Sequence, residues 1–199
     1  MIAGMALLKL TGTDQPIILA LTSAERYREN SISLLREILG QNCRVIFIAI
    51  HQPSSSLREY YTRAGIDVTD IFFIDAITKY AIGSVPEPGQ NVFYVGNPGD
   101  HTALGIAITD SFKNAGDKPP VIYLDSINAM LIYSTSVNLS RFIHFVTSKL
   151  RLRNVAGVLV AVEKGLDPLL MSQLTAFSDA VIDIPGDTGA GSEKPLPTP

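Results

Sequence analysis

The chain has one cysteine, Cys43, no tryptophan, three histidines, and no apolar run approaching the roughly 20 residues that cross a bilayer as a helix. A single cysteine excludes an internal disulfide framework and a cysteine-based zinc site, and fits a reducing cytosol. Its expected role is a buried, inert thiol. His101 and His144 have no cysteine or acid at metal-ligand spacing, so no metal site is expected. With 16 basic residues against 19 acidic ones, and no basic run interleaved with aromatics, there is no footprint for a nucleic-acid partner. The opening MIAGMALLK is apolar but has no basic leader and no small-residue cleavage site after it. It reads as a first strand or helix packed on the body of a cytoplasmic protein with no membrane contact.

Apolar residues make up 46% of the 199 and charged residues 18%, a balance that supports one globular domain with a large core, over 1–184. Seven β-rich runs punctuate it: PIILALT (16–22), RVIFIAI (44–50), IFFID (71–75), NVFYV (91–95), VIYLD (121–125), VAGVLVAV (155–162) and DAVIDI (179–184). Most are continuous rather than alternating, as in strands covered on both faces. Helical stripes lie between them: Leu35, Ile38 and Leu39; Leu104, Ile108, Phe112 and Ala115; Leu139, Phe142, Ile143, Val146 and Leu150. The alternation predicts an α/β fold with a mostly parallel sheet and helices on both faces. Ser56 with Glu59 reads as a capping box for a helix over 55–64, and Asp167 followed by Pro168 as the cap and first residue of a helix over 168–178. The last segment, 185–199, has four prolines and three glycines and is expected to be disordered.

The run VIYLDS places Asp125 and Ser126 at the carboxyl end of a central strand, where open α/β sheets bind ligands. In nucleotide hydrolases such an aspartate holds magnesium, although many strands end in Asp simply to cap the next helix. GNPGDH (96–101) lies between a strand and a helix, where free N–H groups can receive a small anion; a plain turn is the simpler reading. Lys149, Arg151 and Arg153 end the longest helical stripe, where cations complement the helix dipole. GDTGAGSEK (186–194) has glycines at phosphate-loop spacing, but Ser192 and Glu193 stand where Lys and Ser or Thr are required, so it reads as tail. Asn138-Leu139-Ser140 matches a glycosylation acceptor by chance, inside a predicted helix.

Over residues 10–184 the chain resembles the RecA superfamily, and in particular the archaeal KaiC-like ATPases. The resemblance rests on RVIFIAIHQPSSSLREYYTRAGIDVTDIFFIDAIT, on VIYLDSINAMLIYS followed by VNLSRFIHFVTSKLRLRNVAGVLVAVEK, and on the closing FSDAVIDI. It implies a three-layer RecA-like fold in which Asp125 and Ser126 end the Walker B strand. Two departures stand against the activity it would imply. The stretch in the place of the phosphate loop, LTSAERYRENSISLLREIL, has no glycine and no lysine, so neither a backbone nest for phosphate nor the ammonium that reaches it is encoded. A capping box of Thr22 and Glu25, or a later helix start near Asn30 and Ser31, would both fit there. Where those enzymes carry a catalytic glutamate, this chain has His51 and Gln52.

The expectation is therefore a non-catalytic domain that binds a protein partner or itself, with no cofactor and no tight binding of ATP or magnesium. The alternative is a nucleotide or anion sensor with a degenerate loop of Thr22, Ser23, Arg26 and Arg28, in which the arginines replace the lysine. Glu25 and Glu29 lie beside them and oppose it.

Overall fold

Runs of β-branched and aromatic residues too apolar to leave a face in water must stack as a sheet covered on both sides. The computed structural model, which describes residue 10 and residues 15–85 and 91–184, forms them into β1 (Ile17–Thr22), β2 (Arg44–Ala49), β3 (Ile71–Asp75), β4 (Val92–Tyr94), β5 (Pro120–Asp125), β6 (Ala156–Val162) and β7 (Ala180–Asp183). All pairings are parallel, and the strand order is β4-β3-β2-β5-β6-β1-β7. The helices are α1 (Tyr27–Leu39), α2 (Ser54–Arg63), α3 (Thr78–Ile82), α4 (His101–Ser111), α5 (Ile127–Met130), α6 (Ser136–Arg153) and α7 (Pro168–Phe177). A 3-10 turn, Phe112–Asn114, continues α4.

From β1 the chain crosses over β6 and β5 to reach β2 and runs outward to β4; it then returns to β5 and proceeds the other way through β6 to β7. Because parallel crossovers are right-handed, reversing the direction changes the face on which the connecting helix lies. The core shows this division. Leu34, Leu35 and Ile38 of α1 and Leu57 and Tyr61 of α2 pack with Phe47, Phe73 and Tyr123 on one side of the sheet. Leu104 and Ile108 of α4, Leu139 and Phe142 of α6, and Leu174 of α7 pack with Ile46, Ile48 and Leu159 on the other. Successive residues of β2 alternate between these clusters, as the period of a strand requires. The Phe47 ring stacks on Tyr123 at 5.0 Å and meets Phe73 at 5.4 Å, contacts worth about 1 kcal/mol each beyond the area they bury. On β6, a Cβ at Gly157 would lie 2.8 Å from Leu150 Cδ1, so the absence of a side chain is what lets α6 approach the sheet.

The strands fall within a residue of the sequence expectation, and so does the start of α7, where the Leu170 N–H donates to the Asp167 carboxylate at 2.9 Å. The capping box at Ser56 is corrected: α2 starts at Ser54, and Ser56 and Glu59 are exposed within it. The physical reason is a better acceptor from outside, because Asp75, at the end of β3, accepts the Ser54 N–H at 2.7 Å. Neither start weighed for α1 is found; it begins at Tyr27 with no side-chain cap. Cys43 is buried, donates to the Ile38 carbonyl, and has its thiol pushed up to about 11 by burial. The readings of 1–9 and 185–199 lie outside the described residues. Among the described residues no helix is long and apolar enough to cross a membrane.

Candidate functional site

The connections leaving β2 and β5 go to opposite faces, and so do those leaving β1 and β6, so two crevices open at the carboxyl edge of the sheet. Register places Ala49 of β2 beside Asp125 of β5, and Thr22 of β1 beside Val162 of β6. The strand ends singled out in the sequence thus come together at the edges where α/β sheets take ligands.

The crevice at β1 and β6 is filled from within. The Asn30 side chain donates to Thr22 Oγ1 at 2.7 Å and to the Ile184 carbonyl at 3.3 Å, and Thr22 donates onward to the Ser23 carbonyl at 3.2 Å. Asn128 closes the neighbouring edge: its amide donates to the Val162 carbonyl at 3.0 Å and its oxygen accepts the Val162 N–H at 2.8 Å. No residue from 22 to 31 has a positive φ, so the backbone N–H groups do not curl into an anion nest. Arg26 is engaged by Glu29 at 2.8 Å, while Ser23 and Arg28 are exposed. Ser126 caps α5, its Oγ accepting the Ala129 N–H at 3.3 Å.

The crevice between β2 and β5 keeps a hollow of about 140 Å³, lined by Tyr27, Arg28 and Ser31 of α1, His51 and Gln52 after β2, Tyr60 and Tyr61 of α2, and Asp125. Asp125 is 1% exposed, and its carboxyl is pushed up to about 7 by burial. His51 Nδ1 lies 3.9 Å from Asp125 Oδ2, beyond a hydrogen bond, and burial holds the imidazole below its usual value. Asp125 Oδ1 and the Tyr27 hydroxyl are buried without a hydrogen-bond partner, and His51 Nδ1 and Ser31 Oγ make no well-formed bond, Ser31 lying against Tyr61 and Tyr123 and His51 against the Asp125 backbone. Asp75, by contrast, accepts from the backbone of Ser54, Ile77 and Thr78 and from the Thr78 hydroxyl, and its carboxyl is held below the usual range although burial alone would raise it. One strand-end acid is structural and satisfied; the other lines the hollow with Oδ1 unpaired.

The sequence marked Asp125, His51, Gln52 and Arg28 but missed Tyr27, Ser31, Tyr60 and Tyr61. A signal was present in Asn30 and Ser31, polar residues four positions before the buried Leu34 and Leu35 and hence on the same face of α1. In the turn at 96–101 the Asn97 side chain accepts the Gly99 N–H, and Asp100 caps α4 by accepting the Ala103 N–H. Among the described residues, no group of three His, Cys, Asp or Glu side chains could hold a metal ion.

A larger groove of about 810 Å³ lies across α4 and α6. Phe142 and Phe145 line it with Ile106, and Ile106 and Phe145 are 57% and 47% exposed. The His101 ring stacks on Phe142 at 4.6 Å, Lys149 Nζ lies 4.9 Å over the Phe145 ring, and Arg141 adds a second cation. Lys149 also donates to the Thr109 hydroxyl, and Asp110, the acid in the lining, is paired with Lys113. At the end of α6, Arg151 is not simply solvated: it bonds Asp179 and the Phe177 carbonyl.

Residues 18–184 match DUF7504, a family of unknown function. The chain belongs to that family. No curated protein matches it. Among solved structures, this DUF7504 member is similar to an uncharacterised protein of Pyrococcus horikoshii determined in complex with an unknown peptide: 15% identity, a TM-score of 0.61, and coverage of 84% of this chain and 76% of that one. The likeness establishes the three-layer α/β fold around a parallel sheet.

Proposed function

We propose that this chain is a RecA- and KaiC-like domain that has kept the fold without the nucleotide chemistry and works by binding a protein partner along α4 and α6. The observation that carries the reading is the groove there: about 810 Å³, open, and bordered by Ile106 and Phe145, which are 57% and 47% exposed. Large side chains left in water on neighbouring helices mark an interaction surface rather than a core. Arg141 and Lys149 border the same groove, so the partner segment is apolar with acidic residues beside it.

The RecA-like part of the reading is supported by Asp125 ending a central strand flanked by β2 and β6. The loss of catalysis is supported by the side chains of Thr22 and Asn30 filling the β1 edge and by the lack of any left-handed residue from 22 to 31. That an unknown peptide accompanies the Pyrococcus horikoshii protein of similar fold is consistent with a peptide-binding role.

Two measurements test the proposal. Calorimetric titration with ATP or ADP and magnesium should give no heat at millimolar nucleotide; micromolar binding would favour the sensor with Arg26 and Arg28. Gel filtration and affinity capture should recover the protein with a partner whose contact segment is acidic and apolar, or with a second copy of itself. A strictly monomeric protein at high concentration with nothing specific captured would end the proposal.

A further inference from the structure

We infer that the hollow between β2 and β5 is a binding site for an ammonium head group, either a small free amine or the end of a lysine side chain. The inference is independent of the groove on the opposite face. On residues lining the hollow, Asp125 Oδ1 and the Tyr27 hydroxyl oxygen are buried without a partner, and His51 Nδ1 and Ser31 Oγ make no well-formed hydrogen bond, Ser31 lying against Tyr61 and Tyr123 and His51 against the Asp125 backbone. Buried polar groups are nearly always satisfied, so acceptors left without a well-formed bond around one space call for a ligand that satisfies them together. All four can accept a hydrogen bond, the imidazole included, because burial favours its neutral form. An ammonium group has three donors and no acceptor, which is the complementary pattern.

Charge and shape select further. Asp125, 1% exposed, is the buried acid of the hollow, and a cation placed against it offsets the cost of burying its charge. A phosphate or carboxylate would meet the same carboxylate with the wrong sign. A bare metal ion would find Asp125 and His51 but no third ligand of that class. Tyr27, Tyr60 and Tyr61 supply aromatic surface around the space, an arrangement that favours ammonium groups over hydrated ions. About 140 Å³ accommodates the head group and a few carbons, not a nucleotide. Arg28 also lines the hollow, but it is exposed, so its repulsion is screened by solvent.

Proton competition gives the site a distinctive signature. The groups around Asp125 that titrate or carry charge are His51, Tyr27, Tyr60, Tyr61, Tyr123 and Arg28. With the Asp125 carboxyl pushed up to about 7, it is ionised and able to hold a cation at pH 8 but protonated at pH 5.5. Binding should weaken by about tenfold or more over that interval.

The test is calorimetric titration of the full chain with propylammonium chloride, and separately with a short lysine-containing peptide, at both pH values in a fixed potassium chloride background. Saturable binding of either probe at pH 8, weakened at least about tenfold at pH 5.5 and abolished in Asp125→Asn, is the expected result; which probe binds identifies the source of the ammonium group. Asp125→Asn removes a buried charge and should fold, and Tyr27→Phe should weaken binding several-fold. Saturation by neither probe, binding that survives Asp125→Asn, or binding by inorganic phosphate at the same site would overturn the inference.

Discussion

Asp125 and His51 stand 3.9 Å apart across the crevice between β5 and β2, a carboxylate and an imidazole close enough to sense each other yet not hydrogen-bonded. Neither is exposed enough for water to satisfy it fully, and burial shifts the two in opposite directions: the acid upward, the base downward. Both shifts favour the neutral forms.

Asp125 should make the protein less stable as pH rises. An unfolded chain ionises this carboxyl near its ordinary value of 3.8, while the folded chain holds the proton to about 7, so folding is increasingly disfavoured from pH 4 to 7. The full effect is on the order of 4 kcal/mol, reduced by any water that reaches the hollow. His51 acts with the opposite sign, costing stability as pH falls through its ordinary value of 6.5. Urea unfolding of Asp125→Asn should show its largest gain over wild type at pH 8 and less than half of it at pH 5. An equal effect at both pH values would show that the carboxyl does not titrate in this range.

Asp75→Ala should be among the more damaging single changes at the carboxyl edge. It removes the acceptor for three backbone N–H groups and one hydroxyl, and leaves the start of α2 uncapped. A loss of about 2–4 kcal/mol is expected. Because its carboxyl is held low, its contribution is present at neutral pH and disappears as pH falls below the ordinary 3.8. A midpoint in urea that hardly moves would show that water replaces these bonds.

Asn30→Ala should destabilise the chain by about 1–3 kcal/mol, since it strips partners from the buried Thr22 hydroxyl and the Ile184 carbonyl. It should not create nucleotide binding, because residues 22–31 contain no lysine and no left-handed backbone to wrap phosphate. ATP hydrolysis by the purified wild type, lost in Asp125→Ala, would contradict the account of the β1 edge.

On the other face, Ile106→Asp with Phe145→Asp should abolish partner binding at a modest cost in thermal stability, because Ile106 and Phe145 are 57% and 47% exposed and only the remainder of each is buried. Gly105→Ala probes the same groove by shape: its Cβ would lie 3.0 Å from Phe145 Cε1 and displace that ring. Capture of the same partner by wild type and the Asp double variant would place the interface elsewhere.

The strands and the two helical layers were legible because continuous apolar runs such as IFFID and stripes such as Leu139, Phe142 and Val146 report burial directly, and burial is what builds them. The lack of glycine and lysine after β1 likewise followed from composition alone, since no packing supplies an ammonium group or frees a φ angle at no cost. Which side chains meet was another matter. Ser56 lost its capping role because Asp75, far along the chain, reaches the start of α2 first. The hollow needed Tyr27 and Ser31 from α1, Tyr60 and Tyr61 from α2, and Asp125 from β5, which only the crossover order brings to one edge. Sequence thus determined what each segment buries, because hydrophobic burial is a property of local pattern. The tertiary structure alone decided which polar groups are left facing one another, because that depends on contacts between residues distant in the chain.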